Sequence, residues 1–372
     1  MLIIYGAGYL AKNYYFQIRD KEKVFCFATT DESNGNYFLG IPIICIENLL
    51  HFRETAQIRI AANDNNANEI IKNLRRLGFH YYEKASVNIK NYDYYSKRFI
   101  SDPVKEIVDW YELNTGKWID IMNPKTFNEK IQWMKLFDCT SIKTVLSDKL
   151  MVRDYIAKKI GEKYTVEIYG VYDKFDDVDF SKLPDQFVLK CNHGSSCNSI
   201  ILDKLKIDWE TLKDKFDKWM ETDWSLMDGF EFQYKNINRK IIAEKYIKNG
   251  FSNNLYDYKF HCFNGEPKVI EYIGDRASCP HEIYLDMNWI PLQFTDGVFP
   301  RYEVSPPMPG CFDELKSIAS ILSKDFKYVR VDLYALDNNE IKFGEMTFTP
   351  GSGKYKWCPD SADLLMGEYI EL

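Results

Sequence analysis

The pattern of apolar and polar positions divides the chain into two regions with different predicted elements. In the first, short apolar runs alternate with helical stretches: residues 1–5 and 24–28 are predicted strands, and residues 66–77 a helix between a capping Asn66 and Gly78. In the second, apolar runs carry isolated charges and are separated by turn residues, which is typical of antiparallel sheets. The fold class is therefore a mixture of α/β and α+β.

The first predicted strand runs directly into residues 6–11, GAGYLA, a GxGxxA turn that allows the backbone to approach a phosphate. Further strands at 40–44 and 57–62 complete a small Rossmann-like α/β unit, predicted to span residues 1–88. This unit resembles the N-terminal domain of bacterial sugar acyltransferases that bind nucleotide sugars. Three roles stay open: a scaffold, a nucleotide-sugar or sugar site, and an NAD site, which the lack of a second half disfavours.

Residues 89–145 are predicted to form a helical connector before a domain over residues 146–372. Apolar residues recur at helical spacing from Pro103 onward, and Thr126 with Glu129 gives the capping-box pattern of a helix start. Asp148 is predicted to cap the next helix, with Lys149 at its start.

Two apolar runs near the C-terminus each carry one carboxylate. They are residues 329–334 with Asp332 and residues 341–347 with Glu345, and the residues between them, 337–339, are a turn signal. Antiparallel pairing would place both acids on neighbouring strands, where they could form a hard-oxygen site for Mg²⁺. The alternative is an ordinary hairpin with solvent-facing acids.

A second predicted hairpin joins residues 187–190 to residues 199–202 through a small-residue loop, suited to closing over phosphates with backbone N–H groups. It is not a Walker loop, because no GxxxxGK[ST] occurs. Residues 241–247 form a further strand with the charged pair Glu244 and Lys245, and another strand begins near Asp257, with a hairpin turn at 264–265.

In this order the charged positions resemble the ATP-grasp superfamily, whose enzymes join a carboxylate to an amine using ATP. The resemblance covers roughly residues 145–372. A closer resemblance, to the TupA-like branch, lies in residues 123–133 (NPKTFNEKIQW), 147–153 (SDKLMVR), 190–195 (KCNHGS) and 344–350 (GEMTFTP). That branch is tied to teichuronopeptide and other bacterial surface-polysaccharide synthesis, and its members are often labelled glycosyltransferases.

The resemblance implies an ATP site and a metal site. The implied phosphate contacts are Lys149, Lys190, His193, Gly194, Ser195 and Ser196. The implied adenine and ribose contacts are Glu244, Lys245, the backbone of Ile247, and Asp257. The implied catalytic residues are Lys259 and Arg330, with Arg330 stabilising charge on a tetrahedral intermediate. The implied Mg²⁺ ligands are Asp332, Glu345 and Thr347, where Thr347 replaces the usual Asn and leaves the number of metal ions open.

Bulk composition narrows the partners. The net charge of −7 argues against nucleic acid as a main partner. ATP is also anionic, and its site in an acidic protein must therefore be locally basic. No apolar run approaches the length of a membrane span, no targeting segment is recognised, and the nine cysteines are scattered. We expect a cytoplasmic protein with reduced thiols and a peripheral association with envelope-synthesis machinery.

The function expected from the resemblance is an ATP-dependent carboxylate–amine ligase. It would form an amide, through an acyl phosphate, on a uronic-acid-containing surface polysaccharide or its precursor. The alternative is a glycosyltransferase of capsular or cell-wall polysaccharide synthesis; the Asp-x-Asp at 177–179 lies in an acidic loop and is interpreted as surface. A third alternative is a non-catalytic nucleotide sensor. The sugar, the amine and the oligomeric state are not indicated.

Overall fold

The computed structural model describes residues 1–31, 37–248, 255–275 and 279–372. The chain folds into two compact units, Met1–Ile119 and Asp120–Leu372. The division into three domains at residues 88 and 145 stays a prediction.

The first unit is built on a six-stranded, mostly parallel sheet with apolar residues buried on both faces. Its strands are β1 (Leu2–Tyr5), β2 (Val24–Thr29), β3 (Tyr37–Phe38), β4 (Ile41–Cys45), β5 (Gln57–Ile60) and β6 (Tyr82–Lys84), in the order β3-β4-β2-β1-β5-β6. Its helices are α1 (Tyr9–Ile18), α2 (Asp64–Arg76), α3 (Tyr92–Ser96) and α4 (Pro103–Thr115). Side chains alternate along β1, so Ile3 packs in the cluster with α2 and Ile4 in the cluster with α1. The predicted Rossmann-like character is confirmed.

One detail of the first unit differs from the sequence-based prediction, and one of its helices lies within the residues predicted as a connector. Helix α2 is capped by Asn63, whose side-chain oxygen accepts a hydrogen bond from the Asn66 backbone N–H at 2.9 Å, so Asn66 is not the cap. Helix α4, predicted as part of the connector, is held to α1 by ion pairs of Arg19 with Asp109 at 2.7 Å and with Glu112 at 2.5 Å.

The second unit begins with α5 (Phe127–Phe137), α6 (Ser141–Ser147) and α7 (Val152–Lys159). A four-stranded antiparallel sheet follows, with strands β7 (Ile168–Tyr172), β8 (Phe187–Cys191), β9 (Asn198–Ile201) and β10 (Ile241–Lys245) in the order β7-β10-β8-β9. Helix α8 (Trp209–Glu221) covers this sheet, and its buried Phe216 packs among the strand residues.

A five-stranded antiparallel sheet completes the second unit. Its strands are β11 (Tyr256–Phe263), β12 (Glu266–Gly274), β13 (His281–Asp286), β14 (Tyr328–Ala335) and β15 (Ile341–Thr347), in the order β13-β12-β11-β14-β15. Helix α9 (Phe312–Ser323) packs on one face, and α10 (Ser361–Glu368) contacts α5. The three predicted hairpins are confirmed, including the turn at Asn264 and Gly265, where both residues have positive φ.

The helix starts were predicted with mixed success. The capping box of Thr126 and Glu129 is confirmed at the start of α5. Helix α7 starts at Val152, so Lys149 lies in the turn before it rather than on the helix. Asp148 still accepts backbone hydrogen bonds in this turn, from Leu150 at 2.8 Å. Its carboxylate therefore shapes the turn that carries Lys149.

Candidate active site

A cavity of about 410 Å³ lies between the two sheets of the second unit. It brings together twelve of the fifteen residues that the resemblance implied: Lys149, Lys190, Ser195, Ser196, Glu244, Lys245, Ile247, Asp257, Lys259, Arg330, Asp332 and Glu345. The first sheet contributes Lys190, Glu244 and Lys245, and the second sheet contributes acids together with two cations: Asp257, Lys259, Arg330, Asp332 and Glu345. We refer to it below as the nucleotide cavity, a name that follows from the roles proposed for it.

The first sheet contributes an ion pair to the cavity wall. Lys190 Nζ lies 2.6 Å from Glu244 Oε2, and the two side chains are 18% and 12% exposed. Residues two apart on a strand share a face, so Val188 lines the cavity beside Lys190. Glu244 therefore positions the Lys190 ammonium at the wall while the cavity stays accessible.

Lys149 is tied to the loop between β8 and β9. Its ammonium donates a hydrogen bond to the Gly194 carbonyl oxygen at 2.6 Å, and its backbone N–H donates to the Asn192 carbonyl at 2.9 Å. The exposed Ser195 and Ser196 form the part of the loop that lines the cavity. The loop therefore has an anchored base and an exposed tip.

The side chain of His193 does not reach the cavity. It is 2% exposed, and Nε2 lies 3.2 Å from the Trp219 carbonyl oxygen. Burial, with a further contribution from Arg239, lowers the pKa of His193 to about 4, so the imidazole is neutral near pH 7. A neutral, buried imidazole packs the loop base and supplies no charge to a phosphate.

The paired strands β14 and β15 place the two predicted metal ligands directly opposite each other. Asp332 pairs in register with Glu345 on β15 and with Lys259 on β11. Arg330 donates to both carboxylate oxygens of Asp332 at 2.7 Å, from Nε and Nη2, and Nη2 lies 3.4 Å from Glu345 Oε1. Asp332 and Glu345 thus both contact one guanidinium.

The carboxylates of Asp332 and Glu345 fit a Mg²⁺ ion, which prefers hard oxygen ligands. The Glu345 side chain is 41% exposed and lines the cavity. Burial acts to raise the pKa of Glu345, but the positive charges of Lys149 and Arg330 outweigh it and lower the pKa, which keeps the carboxylate ionised. Lone pairs that Arg330 leaves unused on Asp332 are available to a metal.

Thr347 has different contacts from the two acids. Its hydroxyl donates a hydrogen bond to Glu345 Oε1 at 2.8 Å and lies 3.3 Å from Arg330 Nη2. It lines a neighbouring cavity rather than the nucleotide cavity. The structure thus gives Thr347 a part in orienting Glu345, and its role as a metal ligand stays a prediction.

Lys259 forms an ion pair with a second buried acid, Glu271. Its ammonium lies 2.7 Å from Glu271 Oε1, and Glu271 is 2% exposed. Glu271 lies directly opposite Lys259 on β12, in the same row as Asp332. The charge of Lys259 is therefore shared between the cavity and the interior of the sheet.

Several lining residues carried no assigned role in the sequence. Val188 lies two residues before Lys190 on β8, so the alternation of a strand could have identified it. Phe343 also lines the cavity, but an irregularity in the pairing of β14 and β15 separates it from Glu345, so alternation could not have identified it. Arg153, Tyr246 and Tyr334 also line it. Tyr334 lies two residues after Asp332 on β14, so alternation could have identified it, whereas tertiary packing brings Arg153 to the cavity.

A further cavity of about 360 Å³ adjoins the nucleotide cavity. The two share Ser195, Ser196, Arg330 and Glu345 in their walls. The remaining wall residues include Trp224, Asp228, Glu231, Thr347 and Thr349. We call this the second cavity. Arg330 and Glu345 form the boundary between the two.

No helix in the described part of the chain is long and apolar enough to cross a membrane.

Comparison with solved structures finds distant similarity. An N5-carboxyaminoimidazole ribonucleotide synthetase in complex with ADP is 13% identical, with 94% of this chain and 70% of that chain covered and a TM-score of 0.37. An L-amino acid ligase from Bacillus licheniformis is 12% identical, with 95% and 69% covered and a TM-score of 0.36. An N5-carboxyaminoimidazole synthetase from Staphylococcus aureus is also 12% identical, with 94% and 70% covered and a TM-score of 0.35.

No curated protein matches the sequence. The sequence model of one family does match, over residues 129–371, which is well over half of the 372 residues. That family is described as TupA-like ATPgrasp. The chain therefore belongs to the TupA-like ATP-grasp family, and it is an ATP-grasp ligase that uses ATP and Mg²⁺.

Proposed function

We propose that the protein is a carboxylate–amine ligase that forms an amide on a uronic-acid carboxylate of a surface polysaccharide or its precursor. The intermediate is an acyl phosphate. The sugar substrate follows from the resemblance to the TupA-like branch. A cytoplasmic location and peripheral association with envelope-synthesis machinery belong to the same proposal.

The observation that carries the proposal is the distribution of charge in the nucleotide cavity. Lys190 from the first sheet and Arg330, Asp332 and Glu345 from the second line the same cavity. Phosphoryl transfer depends on positioning and charge neutralisation rather than on a protein nucleophile. Several fixed cations next to a pair of acids that fit a metal ion support that chemistry.

The residues that line the cavity have distinct roles in the proposed reaction. Lys149 and Lys190 hold the phosphates as point cations. A carboxylate oxygen of the sugar takes the γ-phosphoryl group and ADP leaves. Asp332 and Glu345 would hold Mg²⁺, which would supply further neutralisation of the phosphate charge. The amine then attacks the acyl carbon and phosphate leaves, while Arg330 stabilises the developing negative charge.

The glycosyltransferase alternative lacks support from the Asp-x-Asp residues. Asp177 is exposed, and Asp179 accepts a hydrogen bond from the Ser181 backbone N–H at 3.1 Å and pairs with Lys182 at 2.9 Å. Neither acid lines the nucleotide cavity. These contacts describe a surface turn.

Product analysis separates the two functions. The purified protein is incubated with ATP, Mg²⁺ and pooled uronates and amines, and in parallel with UDP-sugars. The ligase releases ADP and phosphate, with full turnover only when both acceptors are present, whereas a glycosyltransferase releases UDP. Absence of ATP binding at millimolar nucleotide with Mg²⁺, measured by calorimetry, would overturn the ligase assignment.

A further inference from the structure

The second cavity shares Arg330 and Glu345 with the nucleotide cavity and is otherwise lined mostly by residues that the nucleotide cavity does not include. Its wall carries two carboxylates that the nucleotide cavity does not include, Asp228 and Glu231. Asp228 is paired with Lys354 at 2.6 Å, so its charge is balanced. Trp224 supplies an aromatic surface to the same cavity. A compartment of about 360 Å³ with this lining can accept a small cationic group next to the place where the acyl phosphate forms.

Glu231 is oriented by a short chain of hydrogen bonds. The Thr349 hydroxyl donates to Glu231 Oε1 at 2.5 Å, and Gln233 Nε2 donates to the same hydroxyl at 2.6 Å. Gln233 and Thr349 are 2% and 4% exposed. This support fixes one oxygen of Glu231 and leaves lone pairs on the carboxylate for a ligand in the cavity.

Four neighbouring groups influence the pKa of Glu231: Lys135 from α5, Asp228, Lys354 and the Thr349 hydroxyl. Burial raises the pKa of Glu231 to about 7, against the opposing effect of Lys135. Lys135 itself is 1% exposed, and its ammonium donates to the carbonyl oxygens of Gly229 at 2.6 Å and Ser352 at 2.8 Å. A carboxylate with such a pKa can both accept and release a proton near neutral pH.

We infer that the second cavity binds the amine substrate as an ammonium ion and that Glu231 is the general base that removes its proton. This inference rests on the proposed ligase function and names the site of the nucleophile, which the family membership does not assign. The position of Arg330 and Glu345 in both walls places the amine nitrogen beside the acyl phosphate.

The proton and electron pairs balance as follows. One N–H proton of the ammonium passes to the Glu231 carboxylate, which frees the nitrogen lone pair. That pair forms the C–N bond to the acyl carbon, and the C–O bond to phosphate breaks with its pair remaining on the phosphate oxygen. The nitrogen, now bonded to the acyl carbon, loses a second proton to the departing phosphate and becomes a neutral amide. Glu231 then releases its proton to solvent.

Hydroxylamine tests the formation of the acyl phosphate without the deprotonation of the amine. It is largely neutral near pH 7 and needs no deprotonation before it attacks. The parent protein and the Glu231→Gln variant are each supplied with glucuronate, ATP and Mg²⁺. One set of reactions contains hydroxylamine and the other an equimolar pool of L-amino acids. Hydroxamate is measured by its iron(III) colour and amide by mass spectrometry. Glu210→Gln, an exposed change on α8, is the matched control.

We expect Glu231→Gln to form hydroxamate at a rate within about 3-fold of the parent and to lose amide formation by about 10²-fold or more. Amide formation by the parent should rise as the pH passes up through about 7, while hydroxamate formation should not follow that rise. Equal amide formation by Glu231→Gln and the parent would overturn the inference. Hydroxamate without any amide in the parent would also overturn it, and failure of the parent to form hydroxamate would instead remove the proposed ligase function.

Discussion

Arg330 is the residue on which most of the charge in the site converges. Its guanidinium makes two 2.7 Å hydrogen bonds to Asp332, approaches Glu345, and lines both the nucleotide cavity and the second cavity. A planar group with several fixed donors can bridge two oxygens at once. At this position the guanidinium can hold the acid pair and a tetrahedral intermediate in one geometry.

Arg330→Lys is expected to retain ATP binding and to lower turnover by about 10²-fold, since one ammonium cannot reproduce the two-donor geometry. Calorimetry measures nucleotide affinity, and ADP release measures turnover. The exposed Arg76→Lys in the first unit is the control. Parallel losses of affinity and turnover would place Arg330 in ATP binding instead.

Lys190→Ala is expected to cut turnover by at least about 10²-fold, because solvent in a closed site does not replace the lost cation. The fold should survive, since Lys190 is partly exposed at a cavity wall. Lys206→Ala, at an exposed lysine, is the matched control. ADP release measures turnover, and thermal unfolding measures the stability of the fold. Near-parental activity in Lys190→Ala would remove its proposed role.

The hairpin of β8 and β9 carries Lys190 and the loop that contacts Lys149, the two lysines proposed to bind phosphate. Gly194 has φ of +77°, and a Cβ at this position would lie 2.3 Å from Trp224 Cδ2. The same residue accepts the hydrogen bond from Lys149, and Trp224 lines the second cavity. The loop conformation is therefore coupled to both cavities.

Gly194→Ala is expected to raise the KM for ATP about 10-fold or more, because the added methyl group displaces Trp224 and shifts the carbonyl that holds Lys149. Gly116→Ala separates strain from the clash, since Gly116 also has positive φ, at +74°, but a Cβ there meets no atom within 4 Å. Steady-state kinetics at varied ATP provide the measurement. An unchanged KM in Gly194→Ala would show that the loop accommodates the methyl group without consequence.

The sequence predicted elements well wherever local pattern decides them. The strand with Glu244 and the hairpin of Asp332 and Glu345 follow from apolar runs and turn residues, and all are confirmed. The start of α7 was wrong by a few residues, because backbone hydrogen bonds to Asp148 hold a turn where a helix was expected. The contact of Glu231 with Thr349 could not be predicted, because tertiary packing alone joins residues 118 positions apart.

At the scale of the molecule, the residues proposed to bind ATP and Mg²⁺ lie in the second unit, and the GxGxxA turn lies in the first. Gly6 has φ of +119°, and its Cβ would approach the Ala61 carbonyl oxygen to 2.9 Å, so Gly6 is needed for the turn itself. Gly8 has ordinary φ of −99° and open space around it. The open position is the one available to a ligand.

Gly8→Val is expected to leave stability and ATP affinity unchanged and to raise the KM for the sugar, if the first unit binds that substrate as proposed. Gly6→Ala is the contrasting variant and should lower the free energy of unfolding by more than about 1 kcal/mol. Denaturant unfolding and sugar-dependent kinetics measure the two effects. An unchanged sugar dependence in folded Gly8→Val would make the first unit a scaffold.

The central claim is that a sugar carboxylate is activated as an acyl phosphate, and isotope transfer tests it most directly. Glucuronate labelled with ¹⁸O in its carboxylate is incubated with the protein, ATP, Mg²⁺ and the amino-acid pool, and released phosphate is analysed by mass spectrometry. The account predicts one ¹⁸O in each phosphate released with ADP, because the carboxylate oxygen leaves with the phosphoryl group. Unlabelled phosphate, or no ADP under these conditions, would contradict it.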